Sequence, residues 1–217
     1  MRQSPGLFTN FWHAVGLSFW YLIFKGFNRI KVYGREHIPA RGERGVMFLY
    51  NHISAIDPFS LAVTSMPFFS PVWWRAPAKE ELFKIPVVRS VISTWGAFPV
   101  QRGKRDLAAI ERMVEMLKNS VVVIAPEGTR SPDGALRRGK AGVGKIIYDA
   151  RPRKIIPTRI RGVDRILPKG SVFPRIGKQA SVTYGAPLDL SPYYSLPESV
   201  ETSQKIVDAV MEAISKL

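Results

Sequence analysis

Residues 45–58 read GVMFLYNHISAIDP: six residues with almost no polar side chain, then an abrupt change to Asn51-His52-Ile53-Ser54-Ala55-Ile56-Asp57-Pro58. A short run this apolar, bounded by a polar loop, predicts a strand buried on both faces near the centre of a sheet. Residues 120–125, SVVVIA, have the same character and also end in a polar loop, rich in Gly, Pro and Arg, over residues 126–139. Working outward, residues 29–33, 71–75, 96–101, 154–160 and 181–184 read as further strands. Asp106 is placed to cap a helix whose Leu107, Ile110, Val114 and Leu117 share one side. Another helix is predicted to end near Tyr148, and a C-terminal one runs from Val200 with Ile206, Val210 and Ile214 along one side. Helices interleaved with apolar strands specify an α/β fold, a mostly parallel or mixed central sheet flanked by helices.

The 217 residues suffice for one well-buried domain. With no cysteine, thiol catalysis, disulfides and thiolate metal sites are excluded, and three histidines make a histidine-rich metal site unexpected. Lys and Arg number 32 against 17 Asp and Glu, a net charge of +15. Between Gln101 and Gly170, 17 basic residues face 7 acidic ones, so ten of the fifteen excess charges lie there. Such a bias fits an anionic membrane surface, a phosphorylated substrate or nucleic acid. No zinc-finger spacing, RNA-binding aromatic signature or long basic helix is present, and no nucleic-acid partner is expected.

Residues 3–24 carry no formal charge and include Phe8, Phe11, Trp12, Phe19, Trp20, Tyr21 and Phe24. On a helix, Phe8, Trp12, Val15, Phe19 and Leu22 share a face. The apolar part, residues 7–24, spans roughly 27 Å at about 1.5 Å per residue, slightly short of a ~30 Å bilayer core. We therefore expect residues 1–28 to form a helical membrane anchor, spanning or interfacial, ahead of a single domain over 29–217. Lys25, Arg29 and Lys31 would keep that domain on the cytoplasmic face of the cell membrane. The alternative is an ordinary core helix.

Loops at the ends of such strands are where function concentrates. In 51–58, His52 and Asp57 have the makings of a general base and the carboxylate that fixes its tautomer. Taken alone, His52 reads more readily as a plain loop residue, and Asp57-Pro58 as a helix N-cap with proline in the first turn. After the strand 120–125 come Pro126-Glu127-Gly128-Thr129-Arg130-Ser131. Here Gly128 permits close backbone approach, Arg130 offers a fork for phosphate, and Glu127 can bind a hydroxyl. Gly96-Ala97-Phe98-Pro99-Val100-Gln101-Arg102 delivers a second arginine, and Ile155-Ile156-Pro157 marks another strand end. Gly139-Lys140-Ala141-Gly142-Val143-Gly144-Lys145 matches the spacing of a phosphate-cradling loop. However, Ile146 stands where Ser or Thr should reach magnesium, and no strand directly precedes the loop. These glycines are better read as letting a helix start pack closely, with Arg137, Arg138 and Lys140 toward an anionic ligand or lipid.

Taken in order, Asn51-His52-x-Ser54-x-x-Asp57, Gly96-x-Phe98-x-Val100-x-Arg102, Pro126-Glu127-Gly128-Thr129-Arg130-Ser131 and Ile155-Ile156-Pro157 resemble the four motifs of the glycerolipid acyltransferase family, its bacterial 1-acylglycerol-3-phosphate branch above all. The likeness extends over roughly residues 32–187. Ala125, where the family often has phenylalanine, and Thr158, where an aliphatic residue is common, depart from it. The resemblance implies His52 as general base, Asp57 as its orienter, Arg102 and Arg130 as phosphate contacts, and Glu127, Gly128 and Thr129 as acceptor-binding residues. Asn51, Ser54 and Pro157 would support them. It implies an acyl thioester, of coenzyme A or acyl carrier protein, as co-substrate with no further cofactor, and lysophosphatidic acid among membrane lipids as acceptor.

A thioester is already activated, so one base acting on the acceptor hydroxyl suffices; no Gly-x-Ser-x-Gly elbow for a covalent acyl-enzyme is present. Backbone N–H groups near Gly128 or Pro157 are candidate oxyanion donors. A different lysophospholipid or a glycolipid remains open as acceptor. So does a non-catalytic basic protein that binds membranes or nucleic acid, although adhesion would need none of His52, Asp57 and Glu127.

Overall fold

The computed structural model describes residues 4–101 and 107–217. Seven strands form one sheet: β1 (Arg29–Tyr33), β2 (Val46–Tyr50), β3 (Trp73–Lys79), β4 (Ala97–Val100), β5 (Ser120–Ile124), β6 (Lys154–Arg161) and β7 (Gln179–Tyr184), in the order β1-β7-β6-β2-β5-β3-β4. All neighbouring pairs are parallel except β6–β7. Strands β2 to β6 therefore share one direction, and the segments that follow them leave from one rim of the sheet. Strands β7 and β1 run the other way and begin at that same rim. The mixed, mostly parallel sheet is the architecture the sequence predicts.

Alternate residues of the central strands feed two cores. Val46, Phe48 and Tyr50 join Val121, Val123, Ile156 and Ile160 on one face, under α1 (Leu7–Tyr21) and α2 (Asp57–Ser65). Met47, Leu49, Val122, Ile124 and Ile155 meet α4 (Leu107–Leu117), α5 (Ala141–Ala150) and α8 (Val200–Ser215) on the other. This double burial explains why β2 and β5 lack the polar alternation of a surface strand. The described residues also form α3 (Pro86–Thr94) and two single-turn helices, α6 (Val163–Ile166) and α7 (Ser191–Tyr194). The cap expected at Asp106 lies outside the described residues.

Strand β3 runs past its expected end at residue 75. Pro77 looks like a strand breaker, yet β3 continues past it by changing partner: Trp73–Arg75 pair with β5, and Ala76–Lys79 with β4. Likewise, Pro157 does not end a strand. It lies inside β6 opposite Leu49, and the pairing with β7 starts only at Thr158. Its carbonyl accepts from Gly185 N–H at 2.8 Å, so the missing N–H points beyond the end of the β6–β7 ladder, where proline is tolerated.

Helix α1 packs through His13, Leu17 and, in the wide turn that follows, Phe24, all buried. The His13 ring hydrogen-bonds the Thr94 carbonyl at 2.6 Å and lies against Trp73 and Trp95. Phe8, Trp12, Val15, Phe19 and Leu22, the face singled out in the sequence, point outward. Among the described residues no helix is long and apolar enough to cross a membrane. The glycine-rich match before Lys145 is a packing device: a Cβ on Gly144 would collide with the Ser203 carbonyl of α8.

Candidate active site

The register of β2 between β5 and β6 brings the sequence motifs together. Tyr50 ends β2 opposite Thr158, while β6 runs on to Arg161. The Asn51 side chain bridges that difference. Its amide donates to the Ile160 carbonyl at 2.9 Å, and its carbonyl accepts from Ile160 N–H at 2.7 Å. A side chain thus continues the ladder by one step and fixes where His52 leaves the sheet.

Asp57 opens α2 but does not cap it. Its carboxylate turns back over the preceding loop, and Oδ2 accepts from Ile53 N–H (2.7 Å), Ser54 N–H (2.8 Å) and His52 Nδ1 (2.9 Å). The carboxylate is fully buried, whereas the His52 side chain is 13% exposed. In the neutral tautomer whose Nδ1 donates to Asp57, Nε2 is the acceptor nitrogen of the ring. Burial pushes the Asp57 carboxyl above its usual range, and the bonds from His52 and the two backbone N–H groups pull it back. Asp57 Oδ1 has no partner among the described residues.

The second loop clamps the first. His52 N–H donates to Glu127 Oε1 at 3.3 Å, and the His52 carbonyl accepts from Ser131 N–H at 2.7 Å. Glu127 is buried, and its Oε2 lacks a partner among the described residues. Burial raises its carboxyl to about 7, against the pull of the His52 N–H and Arg159. Gly128, at φ +69°, closes a turn in which its N–H donates to Ala125 O at 3.1 Å, and the Lys140 chain lies over it. Thr129 and Arg130 are exposed beside the clamp.

Gly128 N–H is already bonded to Ala125 O and proline has no N–H, so an oxyanion donor in this region would come from the N–H of a neighbouring residue. Ser54 is buried, its hydroxyl donating to Leu167 O at 2.9 Å, which makes it a brace between loops. Arg137 and Arg138 are exposed and lie near Asp133 (2.7 Å) and Asp208 (4.0 Å). Arg102 falls outside the described residues, although β4, which leads toward it, ends at the same rim as β5.

Sequence reasoning passed over Arg159, two residues beyond Pro157 on β6. Its Nε and Nη1 are buried without a partner among the described residues, and burial lowers its pKa. Glu127 acts on it electrostatically but forms no ion pair with it within 4.0 Å. The signal was available: Arg159 is the one charged residue in the stretch Ile155-Ile156-Pro157-Thr158-Arg159-Ile160. Together the rim presents an oriented imidazole, a buried carboxyl with a free oxygen and an unpartnered guanidinium. That set can take a proton from a hydroxyl and hold an anion near it.

Comparison with known proteins identifies the family and the fold. Residues 29–161 match the family model described as Acyltransferase. The chain is 28% identical over 148 residues to 1-acyl-sn-glycerol-3-phosphate acyltransferase LPAT1, chloroplastic, of Arabidopsis thaliana, covering 67% of this chain and 39% of that protein. It is also 28% identical over 147 residues to a 1-acyl-sn-glycerol-3-phosphate acyltransferase of Limnanthes douglasii, covering 65% and 48%. The matched regions thus span less than half the length of these plant relatives. The crystal structure of the 1-acyl-sn-glycerophosphate acyltransferase PlsC from Thermotoga maritima superposes with a TM-score of 0.67 at 25% identity, covering 96% of this chain and 77% of that one.

Proposed function

Since this chain belongs to the acyltransferase family, we propose that it transfers a fatty acyl group from a thioester to the free hydroxyl of 1-acylglycerol-3-phosphate, forming phosphatidic acid. The His52–Asp57 pair carries the reading, because a buried carboxylate holding one imidazole nitrogen is what a hydroxyl-activating base needs. His52 Nε2 takes the acceptor proton as the hydroxyl oxygen attacks the thioester carbonyl carbon. The C–S bond then breaks, and the proton on Nε2 passes to the departing thiolate, leaving an ester and a free thiol. Asp57 keeps Nδ1 protonated and balances the imidazolium during the step.

Glu127, already tied to His52 N–H through Oε1, offers Oε2 to an acceptor hydroxyl. Arg130 and Arg159, with Arg102, take the phosphate. Planar guanidinium forks suit its oxygens, and Arg159 lacks any competing partner. Coenzyme A and acyl carrier protein thioesters are both compatible donors at an exposed rim. The protein works at a membrane surface, where its acceptor resides.

The test is an acceptor panel with purified full-length protein, one acyl thioester and mass spectrometry of the products. 1-Acylglycerol-3-phosphate should be used far better than a monoacylglycerol. A charge-assisted bond contributes about 1.5–3 kcal/mol, so Arg130→Ala or Arg159→Ala should each lower kcat/KM roughly 10- to 150-fold on the phosphorylated acceptor alone. Equal use of both acceptors by the wild type, or equal losses on both by the variants, would eliminate the phosphate role.

A further inference from the structure

The rim that holds the site also carries an exposed feature that the chemistry does not use. Residues 167–178, between α6 and β7, project Val172, Phe173 and Ile176, which are 81%, 82% and 68% exposed. This tip does not hang free. Arg175 N–H donates to Ile166 O at 2.7 Å, and Gly177 N–H to Phe27 O at 2.8 Å. Asn28, buried at the foot of α1, accepts from Lys178 N–H at 2.8 Å and donates to Arg175 O at 3.1 Å. At the other end, Ser54 in the His52 loop holds Leu167. One segment therefore connects the base of α1 to the site loop while presenting apolar side chains to solvent.

The surroundings are strongly basic. Arg29, Lys31, Arg161 and Arg165 converge around one shallow cleft on the open face of β1, β7 and β6. Lys169 and Arg175 flank the tip itself, and all six are exposed. In residues 27–33 and 161–184 the sole acidic residue is Asp164. None of Arg29, Lys31, Arg165, Lys169 and Arg175 has an ion-pair partner among the described residues. Uncompensated positive charge around a small apolar tip matches a surface that is anionic outside and apolar just beneath, an anionic lipid bilayer. An acidic protein partner would account for the charges but not for Val172, Phe173 and Ile176 at the summit.

We propose that residues 167–178 and the basic cleft beside them form a lipid-docking surface, distinct from α1, that seats the rim of the sheet on an anionic membrane. Strand direction supports the geometry: β1 and β7 begin at the rim where β2 and β5 end, so the tip, the foot of α1 and the His52 loop lie at one end of the molecule. The tip enters the headgroup region, and the cleft binds phosphate groups of the lipids around it. A lipid acceptor then reaches His52 sideways from the bilayer rather than through water.

The experiment is vesicle flotation of the full-length protein with phosphatidylcholine vesicles, with and without phosphatidylglycerol. The tip variant V172S/F173S/I176S changes only exposed side chains, so its thermal midpoint should match the wild type. Losing three inserted side chains should weaken binding to anionic vesicles at least tenfold. The charge variant R165E/K169E should lose most of the preference for anionic vesicles, because each basic residue near such a surface contributes about fivefold. Wild-type binding by both variants would overturn the proposal and leave α1 as the lipid contact. Unchanged vesicle binding with loss of activity only on an acyl carrier protein donor would also overturn it, in favour of a protein dock. Flotation needs no turnover, so it can fail or succeed independently of the acyl-transfer reading.

Discussion

Replacing Glu127 by glutamine should stabilise the fold at neutral pH while impairing activity. The buried carboxyl has one hydrogen bond of 3.3 Å on Oε1 and none on Oε2, and burial raises it from 4.5 to about 7. Below pH 4.5 both folded and unfolded chains hold the proton, and ionisation costs nothing. Between 4.5 and about 7 the unfolded chain gives it up and the folded one keeps it, so stability falls as pH rises. Above 7 the full penalty persists. At 1.36 kcal/mol per pKa unit, the penalty reaches about 3 kcal/mol by pH 8. Glutamine keeps the acceptor for His52 N–H and cannot ionise, so the variant lacks this slope. Urea denaturation of both proteins at pH 4.5 and pH 8 isolates the term, since every other titrating group cancels in the difference. The stability of Glu127→Gln relative to wild type should rise by about 3 kcal/mol between the two pH values, or roughly 6–12 °C in Tm for a chain of this size. A pH-independent difference, or one that shrinks at high pH, would refute the burial of an ionisable, poorly partnered carboxyl. A gain in stability accompanied by lost acyl transfer would mark Glu127 as a residue kept for function at a cost to the fold.

Asp57→Asn should lower kcat by about a thousandfold or more while KM changes little, because the amide no longer holds Nδ1 in its protonated form; single-turnover kinetics would show it, and a loss under tenfold would count against the orienting role. Gly144→Ala should destabilise the protein by about 1–3 kcal/mol, the cost of forcing a methyl against the Ser203 carbonyl between α5 and α8. Unchanged thermal stability would show that the two helices are not held so closely.

How much of this was legible beforehand depended on the kind of signal. The doubly apolar runs of β2 and β5 announce a parallel core, and the four motifs mark the loops that leave its rim. Less visible was what a side chain does once the backbone is placed. Asp57-Pro58 has the chemistry of a helix cap, but the tight 51–56 loop delivers two backbone N–H groups and the His52 ring to Asp57 Oδ2, and that local geometry takes the carboxylate away from the helix. Asn51 could not be read as a ladder bridge, because that role depends on β6 outrunning β2 by three residues. The extension of β3 through Pro77 carries no such signal, because it depends on an exchange of pairing partner from β5 to β4. Arg159 lies two residues beyond the last motif, and only the packing around β6 shows its guanidinium buried without a partner among the described residues. The outward aromatic face of α1 was apparent from periodicity, whereas residues 167–178 show no periodic pattern and reveal their exposed tip only in three dimensions.

The most direct measurement is the turnover of His52→Ala with 1-acylglycerol-3-phosphate and an acyl thioester at saturating concentrations of both. His52 is partly exposed and anchored through its backbone, so the variant should fold, with a thermal midpoint close to wild type. Loss of a positioned general base costs roughly 10²–10⁴ in rate, and kcat should fall by at least that lower factor. Retention of more than a tenth of wild-type kcat by the folded variant would contradict His52 as the group that takes the acceptor proton.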